Sequence, residues 1–244
     1  MLSFARLPRL QRRPRIRGLD LVLTLLPGLL WAGEVQLRTW WITPHCALRP
    51  ESCALSTVLP VDRPGLGIEN GEADGYSYVT QNLSGALALT GPVAWNLALI
   101  PLIGLSPGTA LLQTATDLII VTQAALWNGA LNESARLLVQ RPRPFVYGDP
   151  IRAKDPQNYT SFYSGHTSFA AVTTTSLFLM LLSRGAPLLL LLFAGTVGEG
   201  LIFSTAVFRI LAGRHFLTDV LTGAFAGAFM ACVIAYFHRS RPRP

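Results

Sequence analysis

Long apolar segments alternate with polar ones along this chain of 244 residues. An apolar run lies at 19–33, and five others, each near the roughly 20 residues that span a bilayer as a helix, lie at 83–105, 109–132, 166–183, 187–208 and 217–237. These continuous runs lack the alternation of barrel strands, and backbone groups in lipid are satisfied only in helices or closed barrels. The pattern predicts an all-α integral membrane protein with a six-transmembrane-helix bundle.

The polar segments divide the chain around these helices. Residues 1–18 form a basic N-terminus, and 19–33 is predicted to be the first membrane helix. Residues 34–82 contain glycine, proline and six acids without a sustained helical period, which predicts a long extracytoplasmic loop or cap. The helical core is expected over 83–238, followed by a basic tail at 239–244.

The placement of arginine predicts the orientation in the membrane. Six arginines precede the first helix, and the first helix usually dominates topology. Both termini are therefore predicted to be cytoplasmic, with the loops after helices 1, 3 and 5 on the opposite side. The N-terminal segment could also be a signal peptide, but residues 31–33 lack the small-x-small cleavage pattern, so we interpret it as an uncleaved helix.

Composition agrees with a membrane protein and narrows its partners. Half of the residues are hydrophobic and 14% are charged, whereas soluble domains usually carry about 25% charged residues. The net charge of +7 comes almost entirely from arginine, because Lys154 is the only lysine. A nucleic-acid-binding protein is expected to be far less apolar, so no nucleic-acid partner is predicted. The arginine-rich, lysine-poor composition favours a bacterial inner-membrane protein whose extracytoplasmic loops face the periplasm.

The three cysteines do not have the spacing of a zinc site. Cys46 and Cys53 lie close together in the first loop, while Cys232 lies inside an apolar run. The pair in the loop forms a disulfide if that loop faces an oxidising compartment, and otherwise remains two free thiols. The sequence leaves both alternatives open.

Arginine and histidine concentrate in the segments after the third and fifth predicted helices, at 136–144, 163–166 and 209–219. For any one of these residues, snorkelling to headgroups is the simpler interpretation, but charged groups clustered at a bilayer edge indicate a site. His215 and Asp219 are four residues apart and so share a helical face. The carboxylate can accept from one imidazole nitrogen and leave the other free to attack.

Ser164, Gly165 and His166 lie where the fourth helix is predicted to begin. Free N–H groups and the helix dipole favour an anion there, and glycine permits close approach, although Ser164 could equally be only an N-cap. Phosphoryl transfer requires positioning and positive charge around the phosphate oxygens. That charge is available from three arginines: Arg136, Arg143 and Arg209. These segments carry no carboxylate cluster for magnesium, so metal-independent catalysis without a cofactor is expected.

Together these segments resemble the three-part signature of the type 2 phosphatidic acid phosphatase family, which is related to the vanadium haloperoxidases. The family pattern is K-x6-RP, then PSGH, then SR-x5-H-x3-D, and the matching segments are 136–144, 163–166 and 208–219. The resemblance covers about residues 85–238. It implies a six-helix membrane phosphatase that forms a phosphohistidine intermediate.

Carried onto the matching positions, the resemblance implies that His215 is the nucleophile, Asp219 its orienting partner and His166 the acid that protonates the leaving group. The implied phosphate-binding residues are Arg136, Arg143, Ser164, Gly165 and Arg209. The chain departs from the pattern at three positions, with Arg136 for lysine, Tyr163 for proline and Phe208 for serine. Arginine keeps the charge with a different geometry, and the other changes remove a rigid turn and a hydroxyl, so we expect activity with altered substrate preference.

The expected function is therefore hydrolysis of a lipid phosphate or pyrophosphate, with a phosphorylated membrane lipid in the bilayer as the partner. Phosphatidic acid, phosphatidylglycerol phosphate, an isoprenyl pyrophosphate and a lipid A phosphate all fit. Two alternatives remain open: a phosphotransferase that uses a lipid or sugar acceptor at the same site, and a membrane protein that binds or transports a phosphorylated lipid without cleaving it. The sequence does not indicate an oligomeric state.

Overall fold

The computed structural model describes residues 18–238, which contain six long helices and no strand. We number these helices α1 (Gly18–Trp41), α2 (Gly71–Ile103), α3 (Pro107–Val139), α4 (Gly165–Ser183), α5 (Leu188–Leu211) and α6 (Leu217–Phe237). All six are long and apolar enough to cross a membrane. The predicted all-α architecture of six membrane helices is confirmed. The predicted basic N-terminus, apart from Gly18, and the tail at 239–244 lie outside the described residues.

Three helices extend well beyond the apolar runs that predicted them, and α5 ends three residues later than predicted, at Leu211. α1 continues to Trp41 and α2 begins at Gly71, so the predicted loop 34–82 shortens to 42–70. α3 continues to Val139 instead of ending near residue 132. Hydropathy marks only the part of a helix that faces hydrocarbon, whereas hydrogen bonding continues the helix through the polar region. The start of α2 is stabilised by Asn70, whose side chain accepts hydrogen bonds from two backbone N–H groups of the first turn.

The loop between α1 and α2 covers the ends of the helices that carry the predicted site. It contains a short helix, His45–Leu48, and a disulfide between Cys46 and Cys53 with Cα atoms 5.4 Å apart. Its buried Asp62 accepts hydrogen bonds from the backbone N–H of Thr218, at 2.9 Å, and from Arg141, at 2.7 Å. The loop is thus tied to the first turn of α6.

α4 and α6 approach each other closely near the predicted site. A Cβ atom on Gly223 would lie 2.7 Å from the carbonyl oxygen of Ser164, so a larger residue would push the two helices apart. Small residues at such contacts allow membrane helices to pack backbone against backbone. In addition, the backbone N–H of Ser164 donates to the carbonyl of Asp219 at 3.1 Å. The second and third motif segments are therefore held in direct contact.

α1 packs along α3 through polar contacts as well as apolar ones. Gln123 donates to the carbonyl of Asp20 at 2.7 Å, and Trp127 donates to the carbonyl of Leu23 at 3.1 Å. Nearer the end that carries the predicted site, Ser134 donates to Glu34 at 2.5 Å. Such interhelical hydrogen bonds add to packing where the hydrophobic effect contributes little between helices.

Candidate active site

His215 lies in the turn between α5 and α6 and is almost completely buried. Its Nδ1 atom is 2.7 Å from the carbonyl oxygen of Ser161. Because a carbonyl can only accept, Nδ1 carries the proton and Nε2 carries the lone pair. Nε2 is buried, and no hydrogen-bond partner for it exists among the described residues. The imidazole thus presents an unused nucleophilic nitrogen.

The surroundings of His215 also favour its neutral form. Burial, followed by the positive charges of Arg209, Arg143 and Arg136, lowers the pKa of His215 well below its ordinary value. A neutral imidazole is the form that can attack an electrophile. The lowered pKa and the Nδ1-protonated tautomer therefore both leave Nε2 of His215 with a free lone pair.

The sequence led us to expect a direct hydrogen bond between Asp219 and His215, but the structure does not have one. Its Oδ2 atom lies 3.8 Å from Nδ1 of His215, which is beyond hydrogen-bonding distance. Oδ2 instead accepts from the hydroxyl of Ser161 at 2.6 Å and from the backbone N–H of Phe216 at 2.9 Å. Asp219 lies at the third position of α6, where a carboxylate naturally returns to cap its own helix. It therefore contacts His215 only through Ser161 and the turn that holds the histidine.

His166 lies in the first turn of α4, as predicted. Its ring packs edge-on against Tyr78 of α2, with centroids 4.4 Å apart. Its Nε2 atom is buried and has no hydrogen-bond partner within residues 18–238. The imidazole interacts electrostatically with His215 and with three arginines: Arg136, Arg143 and Arg209. The structure thus brings the two predicted histidines and the three predicted arginines together.

Two of the three arginines differ in position from the prediction. Arg136 and Arg209 lie in the last turns of α3 and α5, and not in loops, while Arg143 lies just after α3. Arg209 donates to Asp74 at 2.6 Å, and Arg143 donates to Thr160 at 3.0 Å. In all three guanidinium groups the Nε atom is buried without a partner in the described part of the chain. Buried donors are normally satisfied, so these unused donors suit an anion.

Ser164 and Gly165 form the start of α4, and each has a defined structural task. The Ser164 hydroxyl accepts from the backbone N–H of Thr167, which makes it the N-cap. A Cβ atom on Gly165 would lie 2.6 Å from Nη2 of Arg136 and 2.8 Å from Oδ1 of Asn132. The absence of a side chain therefore lets Arg136 lie against the positive end of α4. Asn132 also donates to the carbonyl of Tyr163 at 2.8 Å and so supports the same turn.

The structure shows what surrounds two of the three residues that depart from the family pattern. Tyr163, at the position of the usual proline, is buried, and burial raises the pKa of its phenol to about 12. The hydroxyl has no hydrogen-bond partner among residues 18–238. Phe208, at the position of the usual serine, packs against Tyr76 with ring centroids 5.5 Å apart. Both side chains contribute apolar contacts where the family pattern has a turn or a hydroxyl.

The supporting residues were not found from the sequence. Arg209 is paired with Asp74, which lies 135 residues earlier in the chain, and no sequence pattern indicates that contact. Glu133 accepts from Arg136 at 3.3 Å, and its position three residues before Arg136 on a helix was a usable signal. Arg141, which none of the motif positions names, donates to Asp219 at 2.5 Å.

Comparison with known proteins agrees with this geometry. A family model described as the PAP2 superfamily matches residues 117–243, which is more than half of the chain and includes all three motif segments. No solved structure matches the chain. Members of this family are generally phosphatases. With six helices long and apolar enough to cross a membrane and the family match over its motifs, the chain belongs to the PAP2 superfamily and is an integral-membrane hydrolase.

Proposed function

We propose that the protein hydrolyses a phosphorylated membrane lipid through a phosphohistidine intermediate on His215. The observation that carries this proposal is the state of His215. Its Nδ1 atom is occupied by the Ser161 carbonyl, and its buried Nε2 atom has no partner among the described residues. Unused donors of three arginines lie around it, so an anion that enters this space meets both positive charge and a nucleophile.

In the first step, the lone pair of His215 Nε2 attacks the phosphorus atom. The N–P bond forms as the bond from phosphorus to the leaving oxygen breaks, and the electron pair passes to that oxygen. His166 donates a proton to the leaving oxygen, and the negative charge of the bound phosphate favours the protonated form that this requires. The products of this step are the dephosphorylated lipid and phosphorylated His215.

In the second step, water attacks phosphorus and the N–P bond breaks, which returns the electron pair to Nε2. His166, now neutral, accepts a proton from the attacking water. Inorganic phosphate leaves, and both imidazoles are restored to their starting forms. His166 thus acts first as an acid and then as a base, and His215 first attacks phosphorus and then leaves it.

The phosphate-binding roles follow from charge and position. Arg136, Arg143 and Arg209 would donate to the phosphoryl oxygens. Gly165 would offer its backbone N–H at the start of α4, and Ser164 would offer its hydroxyl, because its own N–H is bonded to the Asp219 carbonyl. Three guanidinium groups supply the positive charge that a dissociating phosphoryl group requires. We therefore propose a mechanism in which neither a metal ion nor a cofactor takes part in the chemical steps.

The lipid class follows from the setting of the site at one end of a bundle of membrane helices. The acyl or prenyl chains of the substrate would remain in the bilayer while the phosphate enters among the arginines. Phosphatidic acid, phosphatidylglycerol phosphate, an isoprenyl pyrophosphate and a lipid A phosphate are the candidate substrates. Release of inorganic phosphate from each, measured in detergent, distinguishes among them.

We further propose a bacterial inner-membrane location, with both termini in the cytoplasm and the site facing the periplasm. The disulfide in the loop over the site supports an oxidising environment for this end of the bundle. An N-terminal tag on protein in intact spheroplasts should be protected from an impermeant protease. Cleavage of the tag under these conditions would contradict the orientation.

The central experiment compares phosphate release by the wild type, His215→Ala and His166→Ala in the presence of EDTA. We expect His215→Ala to lose at least about a thousandfold in turnover, as for other essential nucleophiles. Undiminished release by this variant would overturn the proposal. Absence of release by the wild type, with lipid binding retained, would favour a binding or transport protein. A second phosphorylated product would identify a phosphotransferase.

A further inference from the structure

A buried carboxylate lies between two guanidinium groups beside the proposed phosphate site. Glu133 of α3 is fully buried and accepts from Arg38 of α1 through both carboxylate oxygens, Oε1 from Nε and Oε2 from Nη2. The same Oε2 atom accepts from Nη1 of Arg136 at 3.3 Å. Glu133 is thus shared unequally, with a two-bond contact to Arg38 and a single longer one to Arg136.

We propose that Arg38 is a positioning residue for phosphate binding, because it holds Glu133 in this fork and so keeps Glu133 from neutralising Arg136. The inference rests on the proposed function, since it requires Arg136 to bind the phosphate. Two-bond pairs between arginine and carboxylate are strong and directional. Arg38 lies outside the residues that the family model matches, so it belongs to none of the three motif segments.

The charges of the three side chains explain why Arg38 affects the site. With Arg38 present, Arg38, Glu133 and Arg136 together carry one net positive charge. Without Arg38, the remaining pair carries none. A buried carboxylate that loses its partner takes the nearest available one, because an unpaired buried charge is strongly unfavourable. Glu133 would then pair fully with Arg136 and remove one positive charge from the phosphate site.

The position of Arg136 would change as well. Its Nη2 atom lies against Gly165 at the start of α4, where a Cβ atom would come within 2.6 Å of it. A two-bond contact with Glu133, one helical turn away on α3, would draw the guanidinium from that place. Both effects weaken phosphate binding, and both depend on the negative charge of Glu133.

Arg38 could act by holding Glu133 or simply by anchoring α1 on α3. These two roles can be separated, because other contacts also hold α1 against α3. Trp127 donates to Leu23 at 3.1 Å, and Ser134 donates to Glu34 at 2.5 Å on the turn next to Glu133. Ser134→Ala therefore removes a contact between α1 and α3 without changing the charge at Arg136. It is the matched control for Arg38→Leu.

The experiment measures the dissociation constant for inorganic phosphate by calorimetry, together with KM, kcat and Tm for a lipid phosphate substrate. We expect Arg38→Leu to raise the dissociation constant and KM about tenfold, as loss of a charged hydrogen bond does. The double variant Arg38→Leu/Glu133→Gln should return both to within about threefold of the wild type, although Arg38 is still missing. Ser134→Ala should leave both unchanged.

An unchanged phosphate affinity in Arg38→Leu, or a double variant as weak as the single one, would overturn the inference and leave Arg38 as an anchor of α1. The proposed function is tested separately, because phosphate affinity is measured without turnover. If the wild type binds phosphate in an Arg38-dependent manner but releases none from any lipid, the proposed function fails and the inference stands. If turnover depends on His215 but not on Arg38, the inference alone fails.

Discussion

The Nδ1 atom of His215 lies 2.7 Å from the carbonyl oxygen of Ser161 and 3.8 Å from Oδ2 of Asp219. The tautomer of the proposed nucleophile is therefore held by the main chain, and no substitution of a side chain can remove that acceptor. Asp219 acts one step away, since it holds the hydroxyl of Ser161 and the backbone N–H of Phe216. The carbonyl of Ser161 thus orients the imidazole, whereas Asp219 holds the segments around it. If the carboxylate contacted the imidazole directly, Asp219 would do both.

The first prediction separates the carbonyl of Ser161 from its hydroxyl. Ser161→Ala should lose no more than about tenfold in kcat, because the carbonyl that orients His215 remains. Asp219→Ala should lose at least about a hundredfold and unfold more easily, since breaking a buried charged pair costs about 3–5 kcal/mol. Measurements of kcat and Tm on both variants test this. Equal losses in the two variants would mean that the hydroxyl, and not the carbonyl, orients the histidine.

The second prediction concerns pH. Burial, and after it the neighbouring arginine charges, holds the pKa of His215 well below its ordinary value. Below about pH 6.5 an unfolded histidine takes up a proton while His215 does not, so protonation favours the unfolded state. At higher pH neither form is protonated, and this effect vanishes. His215 should therefore reduce stability as pH falls from 6.5, by up to about 1.4 kcal/mol per pH unit.

Thermal unfolding of the wild type and His215→Asn in detergent, at several values between pH 5 and 8, measures this effect. The Tm of the wild type should fall more steeply below pH 6.5, and the two curves should run parallel above pH 7. Parallel curves over the whole range would show that His215 titrates normally in the folded protein.

The third prediction is about close approach at Gly165. Gly165→Ala places a methyl group 2.6 Å from Arg136 and 2.8 Å from Asn132, so the guanidinium has to move. We expect kcat/KM to fall about a hundredfold, as for small displacements of a positioned group. Gly200→Ala on α5 is the control, because its added methyl group meets nothing within 4 Å. That variant should keep full activity, and comparable losses in both would contradict the explanation.

The fourth prediction is about the disulfide over the site. Cys46 and Cys53 are seven residues apart, and closing so short a loop stabilises the fold by about 2.5 kcal/mol in the chain-entropy description. Cys46→Ser/Cys53→Ser should lower Tm, while Cys232→Ser, which removes an unbridged cysteine, should not. Alkylation with and without reductant should differ by two modified cysteines in the wild type. Identical masses would show that the bridge does not form.

Much of the fold could be predicted from the sequence because partition into lipid depends on local composition. A run such as 217–237 is apolar whatever its neighbours are, and it forms α6 with the predicted bounds. The ends of the helices could not be predicted as well, because α3 continues through Arg136 to Val139 in a region where hydropathy no longer distinguishes helix from loop. Residue spacing also indicated the chemical groups of the site, because each of the three motifs is a short continuous segment at the ends of one or two helices.

Only the tertiary structure decided which partner each of those groups has. Arg209 pairs with Asp74, 135 residues away, and Glu133 pairs with Arg38, 95 residues away. His215 is held by a backbone carbonyl and not by the carboxylate four residues later. Hydrogen bonds and ion pairs extend only a few ångströms, so these partners depend on how α1, α2 and the turn before α4 pack. The sequence by itself indicated which residues we propose to bind and attack a phosphate, and the packing of the helices decided how each one is held.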